Sequence, residues 1–522
     1  MSSGRAAALV AIALTAGLAL RLAQLDARPM HHDEANQAVK FGALLERGEY
    51  RYDAHDHHGP TLYYLSLPAA RLRGQTMLAS LDERTLRGVT AIFGAATILL
   101  LPLLSSGIGP TVVSASAWLL ALSPAMVFYS RMFIQESMFA CFTLAFVIAI
   151  GRFATGGGIA WSALAGLAAG LAIATKETSV IILPTALASC AISVWSLRTA
   201  RQQNRRTGER WAIPLLVGLA VAAIVAALFY SSFFTSPGAI LDPFRAAGTY
   251  FDRGVDPADH AHPWHYYVGL LTYSSSGGLR WSEGLILALA IVGAVAAWRV
   301  DRTFWPRYLT CNAIIAAAIF SAIPYKTPWN LVPFYVLTIV VTGFGFSTLL
   351  HATPSRALRA VIVGVFAAGL AHLGWQAWRA SITYASDPRN PYVYAQTVPD
   401  AVRMATRIRQ LAALHPDGDR MLVAVIASPH EQWPLPWYLR TMPHVGYWTA
   451  PGDALAMRPP VVVSSSDNAA AVDGALGERY MSEFYGLRPE VLLTLYVERG
   501  LWDRFLAAQT PPVALWRATK PP

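Results

Sequence analysis

Charge is scarce in this chain. Asp, Glu, Lys and Arg make up 14% of its 522 residues, against about 25% in a soluble globular domain. Apolar residues take their place, at 54% of the total. Cysteine is nearly absent. The three present, Cys141, Cys190 and Cys311, all fall inside apolar runs. That excludes a disulfide framework and a thiolate metal cluster, and it reads them as small core residues. Nucleotide machinery is missing too: there is no Walker loop and no dinucleotide fingerprint. Neither a GxSxG elbow nor a zincin HExxH is found. Nucleotide hydrolysis is therefore not the expected energy source.

Long, almost charge-free runs are what the chain does have. A membrane-spanning helix needs about 17–25 apolar residues. About eleven such spans are expected, near residues 6–25, 86–106, 110–129, 135–152, 158–175, 178–197, 211–230, 281–299, 306–324, 329–350 and 358–378. The first run resembles a signal peptide but lacks a clean cleavage site, so it reads as a retained helix. The net charge of +10 is no nucleic-acid signal, because much of the excess sits in short inter-span loops. One of them, 198–210, holds five arginines. Arg5, Arg299, Arg302, Arg307, Arg356 and Arg359 fall on the same side if eleven spans are counted. The positive-inside rule makes that side cytoplasmic, together with the N-terminus.

The opposite, extracytoplasmic loops carry the unusual polar strings. These are HHDEA (31–35), HDHHGPTLYY (55–64), TKET (175–178) and PYKTPWN (324–330), with SRMFIQES (130–137) beside them. Two outer loops are long, 26–85 and 231–280. In the first, Ala35, Ala38, Val39 and Leu45 share one helical face after Asp33. A second short helix is expected after Gly59-Pro60. The domain division expected from composition is a membrane part, 1–378, and an extracytoplasmic α/β part, 379–522. In the latter, 421–428 and 459–466 read as buried strands and 400–414 as a helix.

Asp33 and Glu34 are placed for general-base chemistry, since a helix N-terminus favours an ionised carboxylate. The alternative is a solvated helix cap. His31, His32, His55, His57 and His58 crowd around Asp33, Glu34, Asp53 and Asp56. His32, His55 and His57 with Glu34 form a candidate divalent-metal set, although the spacing fits no standard zinc pattern. A hydrogen-bonded scaffold around the acid is the other reading. Arg131, Glu136, Lys176, Glu177 and Lys326 stand at span edges, where a charge is costly. The cations, with His58, are candidates to bind a lipid phosphate, and the acids to orient them. Snorkelling or structural pairing is the alternative. WPLPWYLR (433–440) offers tryptophans either for sugar stacking or for domain packing.

These residues resemble a known group. An Asp-Glu pair in the first outer loop, flanking amphipathic helices and many spans are similar to the GT-C glycosyltransferases. That group includes the protein O-mannosyltransferases and the aminoarabinose transferases of lipid A. More closely, HHDEA, YDAHDHHGPTLYY, TKET, YKTPWN, NPYVYAQT (390–397) and WPLPWYLR with VGYW (445–448) resemble one prokaryotic family. It is the family of flippase-activity-associated proteins of surface-glycan loci, with a mannosyltransferase-like core. The resemblance covers most of the chain. It implies an α-helical polytopic GT-C-like protein of the prokaryotic cytoplasmic membrane. It also implies a polyprenyl-phosphate-linked sugar donor, a glycan, lipid or protein acceptor, and inverting transfer on the outer face. Asp33 would be the base and Glu34 its support or a metal ligand. The rival expectations are a lipid-glycan flippase and a scaffold for glycan assembly, without transfer. A flippase needs polar groups in mid-span, whereas the central spans read as largely apolar.

Overall fold

The structure is a computed structural model. It describes residues 2–48, 50–53, 56, 58–198, 211–245, 248, 260–301 and 303–509. The chain divides into two compact units. One comprises 1–28 and 40–394, the other 29–39 and 395–522.

The first unit is helical apart from a short antiparallel ribbon of β1 (Ser274–Ser276) and β2 (Leu279–Trp281). Each of the eleven expected apolar stretches forms a helix. They run Ser3–Leu22, Glu83–Leu100, Pro110–Leu122 with Pro124–Ser130, Glu136–Ala154, Ile159–Ile173 and Ser179–Arg198. Ala212–Tyr230, Gly284–Arg299, Phe304–Ala322, Val332–Ala352 and Arg356–Trp378 complete the set. Among the described residues, seven helical stretches are long and apolar enough to span a membrane, and a bent pair makes an eighth. Two more, Ile159–Ile173 and Gly284–Arg299, are apolar but shorter. This is an integral membrane protein. None of the apolar window of Ala212–Tyr230 is buried in protein, whereas 83% of that within Pro328–Ala352 is. The first therefore presents its side chains to lipid and the second forms the core.

The bent pair turns by 58° at Ser123-Pro124. A residue before proline is pushed out of the helical region, and Ser123 has φ −58°, ψ 121°. Glu283, fully buried, holds this break together. It accepts from Ser123 Oγ at 2.5 Å and from the Ala125 N–H at 2.9 Å. It also accepts from the hydroxyls of Tyr335 and Tyr392, at 3.0 and 2.7 Å. A buried carboxylate needs such partners to offset its lost hydration. Close packing elsewhere depends on glycine. A Cβ on Gly345 would run into the carbonyl of Leu289, and one on Gly293 into that of Val341.

The second unit is α/β. Its five-stranded sheet has the order β4-β3-β5-β7-β6. The strands are β3 (Val423–Ile426), β4 (Val445–Trp448), β5 (Val461–Ser465), β6 (Tyr480–Arg488) and β7 (Val491–Glu498). β3 pairs in parallel with β4 and β5, while β7 is antiparallel to β5 and β6. β3 and β5 are buried at every position, as expected for strands with both faces covered. Ala424, Ile426, Val462, Val472, Leu476 and Tyr496 form the core. The helix Pro399–Leu414 lies on the sequence stretch expected to be helical.

Candidate active site

In the helical unit, the chemistry-rich strings converge. TKET forms the turn between Ile159–Ile173 and Ser179–Arg198. Lys176 Nζ donates to Glu136 Oε1 at 2.6 Å and to Asn330 Oδ1 at 2.8 Å. Glu136 opens its helix and Asn330 ends PYKTPWN, so three distant strings meet at one ammonium. The Glu136 Oε2 is buried and has no hydrogen-bond partner among the described residues. Glu177, beside Lys176, turns elsewhere. It accepts from Tyr52 OH at 2.7 Å and lies 2.6 Å from His58 Nδ1. Burial raises its pKa, but the His58 charge and the His58 and Tyr52 hydrogen bonds outweigh it. The net shift is downward. Gly59 lets the Gly59-Pro60 segment approach here, because a Cβ would strike the Ala174 carbonyl. Thr61 N–H then donates to that carbonyl at 3.1 Å, and the Thr61 and Thr175 hydroxyls lie 2.7 Å apart.

Lys326 is 1% exposed. Its Nζ donates to the backbone carbonyls of His262, at 3.0 Å, and Ile323. Among the described residues it has no carboxylate partner. Burial lowers its pKa from the usual lysine value. Its own N–H donates to the His260 carbonyl at 3.0 Å, tying PYKTPWN to the segment before the helix Tyr266–Thr272. His260 Nδ1 lies 2.6 Å from Tyr394 OH, and the Tyr394 ring packs 5.8 Å from Trp329. NPYVYAQT thus contributes Tyr392 to the Glu283 cage and Tyr394 to the Lys326 turn.

Arg131 is occupied differently from the phosphate-binding expectation. Its guanidinium donates to the carbonyls of Leu20, Arg21 and Gln24, at 2.8, 3.0 and 3.3 Å. It thereby caps the C-terminal end of the first helix.

HHDEA lies in the other unit. His31 is the N-cap of the helix His32–Arg47. Glu34 Oε2 accepts from the His31 N–H at 3.0 Å, and His31 Nδ1 accepts from the Asp33 N–H at 3.1 Å. This is a variant of the capping box, with histidine in the usual Ser/Thr place and its ring accepting from the second helical N–H instead of the third. Because Nδ1 accepts, its 3.8 Å approach to Asp33 Oδ2 is not an ion pair in this arrangement. Glu34 is fully buried, while the Asp33 side chain is 42% exposed. The two acids therefore differ in role: Glu34 orders the helix start and Asp33 faces outward. The His32 ring packs 6.1 Å from His430 and 6.0 Å from Trp433. Burial pushes its pKa down to about 4, against a smaller upward pull from Asp33. Trp437 is wholly buried beneath Arg440, which sits 3.8 Å over its ring, so it serves packing.

Of the candidate metal set, His55 and His57 lie outside the described residues. Among the described residues, no group of three or more His, Cys, Asp or Glu is arranged to hold a metal. Glu283 and Asn330 are the residues that sequence reasoning did not single out. A lone acid opening an apolar run was the available signal for Glu283.

Residues 12–236 match the dolichyl-phosphate-mannose-protein mannosyltransferase family. No curated protein matches the chain. Solved structures are similar over nearly its whole length. ArnT from Cupriavidus metallidurans, bound to undecaprenyl phosphate, has a TM-score of 0.63 at 15% identity. The match covers 95% of this chain and 98% of that one. The archaeal oligosaccharyltransferase AglB from Archaeoglobus fulgidus, with an inhibitory peptide and a dolichol-phosphate, has 0.60 at 14%, covering 96% and 77%. The S. cerevisiae protein O-mannosyltransferase Pmt1-Pmt2 complex, bound to the sugar donor, has 0.54 at 11%, covering 78% and 92%. These likenesses establish the fold.

Proposed function

From a chain whose membrane core is of the GT-C, mannosyltransferase- and ArnT-like type, we propose a membrane glycosyltransferase. It moves a sugar from a polyprenyl-phosphate carrier to an acceptor hydroxyl on the extracytoplasmic face, with inversion. One observation carries the reading. A buried ammonium, Lys326, is fixed by backbone carbonyls with no carboxylate among the described residues to neutralise it. Such a cation suits an anion that arrives with the substrate.

The acceptor oxygen attacks the anomeric carbon as the bond from that carbon to phosphate oxygen breaks. The acceptor proton passes to Asp33. The carrier leaves as polyprenyl phosphate, which gains one negative charge relative to the diester. Lys326 stabilises that developing charge, a preorganised electrostatic role. Lys176, balanced by Glu136, holds the adjacent turn, and His58, set by Glu177, is a second phosphate donor. The lipid phosphates held in ArnT and AglB support the choice of leaving group.

The test uses purified protein in liposomes with a panel of undecaprenyl-phosphate-linked sugars, reading release of undecaprenyl phosphate. Asp33→Asn is expected to lower turnover by about 10²–10⁴-fold while leaving undecaprenyl phosphate binding intact. Retained turnover would remove Asp33 as the base. Binding and transbilayer movement without release in the native protein would favour the flippase reading.

A further inference from the structure

Two strings that set this sequence apart, NPYVYAQT and WPLPWYLR, are only partly used by the chemistry above. Each sends one side chain to the same peptide group. Gln396 Nε2 donates to the carbonyl of Pro29 at 2.9 Å. The N–H of Met30 donates to the hydroxyl of Tyr438 at 2.7 Å. The Pro29 carbonyl and the Met30 N–H belong to one planar unit, so both of its polar groups are gripped at once. Gln396 and Tyr438 are 2% and 7% exposed, and the Met30 side chain is fully buried.

The grip is itself anchored. Arg409, on the helix Pro399–Leu414, donates to the Tyr438 carbonyl at 2.9 Å. Two residues after Gln396, the Val398 N–H donates to Leu487 on β6 at 3.0 Å. On the other side, the gripped peptide leads directly to His31, whose capping box fixes the first turn carrying Asp33. Sheet, helix, clamp, cap and carboxylate thus form one chain of contacts within a single unit.

We infer that Tyr438 and Gln396 are positioning residues for Asp33, and that setting this acid is the catalytic task of the C-terminal α/β unit. The inference rests on Asp33 as the base and names what holds it. A misplacement of about 1 Å in a reacting group costs up to about 10²-fold in rate. Loosening the grip should therefore slow turnover without weakening the donor, whose proposed phosphate contacts lie in the helical unit.

The variants are Tyr438→Phe, Gln396→Leu and the isosteric Gln396→Glu, made in the full chain. Each single variant is expected to lower kcat about tenfold, and the Tyr438→Phe/Gln396→Leu pair up to about 10²-fold. KM for the undecaprenyl-phosphate-linked sugar and affinity for undecaprenyl phosphate should stay within about twofold. Hydrogen exchange should quicken over residues 27–34 and stay unchanged in β3 and β5. If exchange rises through β3 and β5 in one variant, kcat is read from a variant in which both strands stay protected; if it rises there in all of them, the inference is overturned, because the two side chains then hold the sheet and not the turn. Unchanged kcat with faster exchange at 27–34 overturns the inference, as does unchanged exchange there. Full turnover in Asp33→Asn overturns the base reading itself. An inactive Asp33→Asn beside normal Tyr438→Phe and Gln396→Leu variants overturns only the clamp.

Discussion

Lys176 and Lys326 are both buried, and both sit where one apolar helix gives way to the next. Their surroundings differ in one respect. Lys176 meets the carboxylate of Glu136 and the amide of Asn330. Lys326 meets carbonyl oxygens, which orient an ammonium without cancelling its charge. Two lysines that look alike in the sequence thus carry different expectations. A balanced pair holds structure together, and a cation with no carboxylate beside it among the described residues is, on the reading proposed above, the one that meets an incoming anion.

The largest effect should come from breaking the balance. Lys176→Met leaves Glu136 buried without its cation and should destabilise the protein by about 3–5 kcal/mol. Lys176→Met with Glu136→Gln should recover most of that loss. Thermal unfolding in detergent measures both, and equal losses in the single and double variants would show that the pair is not coupled. Lys326→Met should instead weaken undecaprenyl phosphate binding about 10–100-fold, the size of a charge-assisted hydrogen bond, with a smaller change in melting. The reverse pattern would exchange the two roles.

Acidity sharpens the contrast further. The folded pKa of Lys326 lies below its ordinary 10.5. Its charge is therefore lost on the alkaline side before that of an exposed lysine. Undecaprenyl phosphate affinity should fall around a midpoint below pH 10.5, while this group's own contribution to stability rises. Lys326→Met should remove that limb from the binding profile. The smallest expected effect concerns His32, whose pKa drops from 6.5 to about 4 on folding. A depressed value means the neutral ring is the one the fold favours. Its stabilisation is complete above pH 6.5 and is lost as pH falls toward 4. Between pH 7 and 4.5 the melting temperature should fall less steeply in His32→Gln than in the native chain.

The helices were legible because a membrane span writes itself as a long run: a helix lies on each of the eleven runs, and among the described residues seven stretches, or eight with the bent pair, are long and apolar enough to span a membrane. β3 and β5 were legible for a related reason, since strands covered on both faces are continuously apolar. β6 alternates between covered and exposed positions and gave no comparable run. The site was harder. Charge at a span edge is visible in sequence, but its partner is not. Arg131 reads as a phosphate ligand in sequence, but its guanidinium lies on the last carbonyls of the first helix, those of Leu20, Arg21 and Gln24, and caps that helix. Glu34 reads like Asp33 until the His31 N–H claims its carboxylate. The grip of Gln396 and Tyr438 on the Pro29–Met30 peptide joins residues about four hundred positions apart, and no local pattern announces it.

The grouping of residues 29–39 with 395–522 also sets an order of events during synthesis. The acidic segment emerges early, and the strands that complete its unit emerge only after the intervening helices have been made. At about 5–20 residues per second, the delay is on the order of tens of seconds. Throughout that interval the segment lacks its grip. A chain released before β5 and β7 would carry every buried lysine described here, yet it would keep its acid unset. On the proposed role of Asp33, such a chain is expected to be membrane-inserted but inactive, and the tail would report that translation reached its later strands.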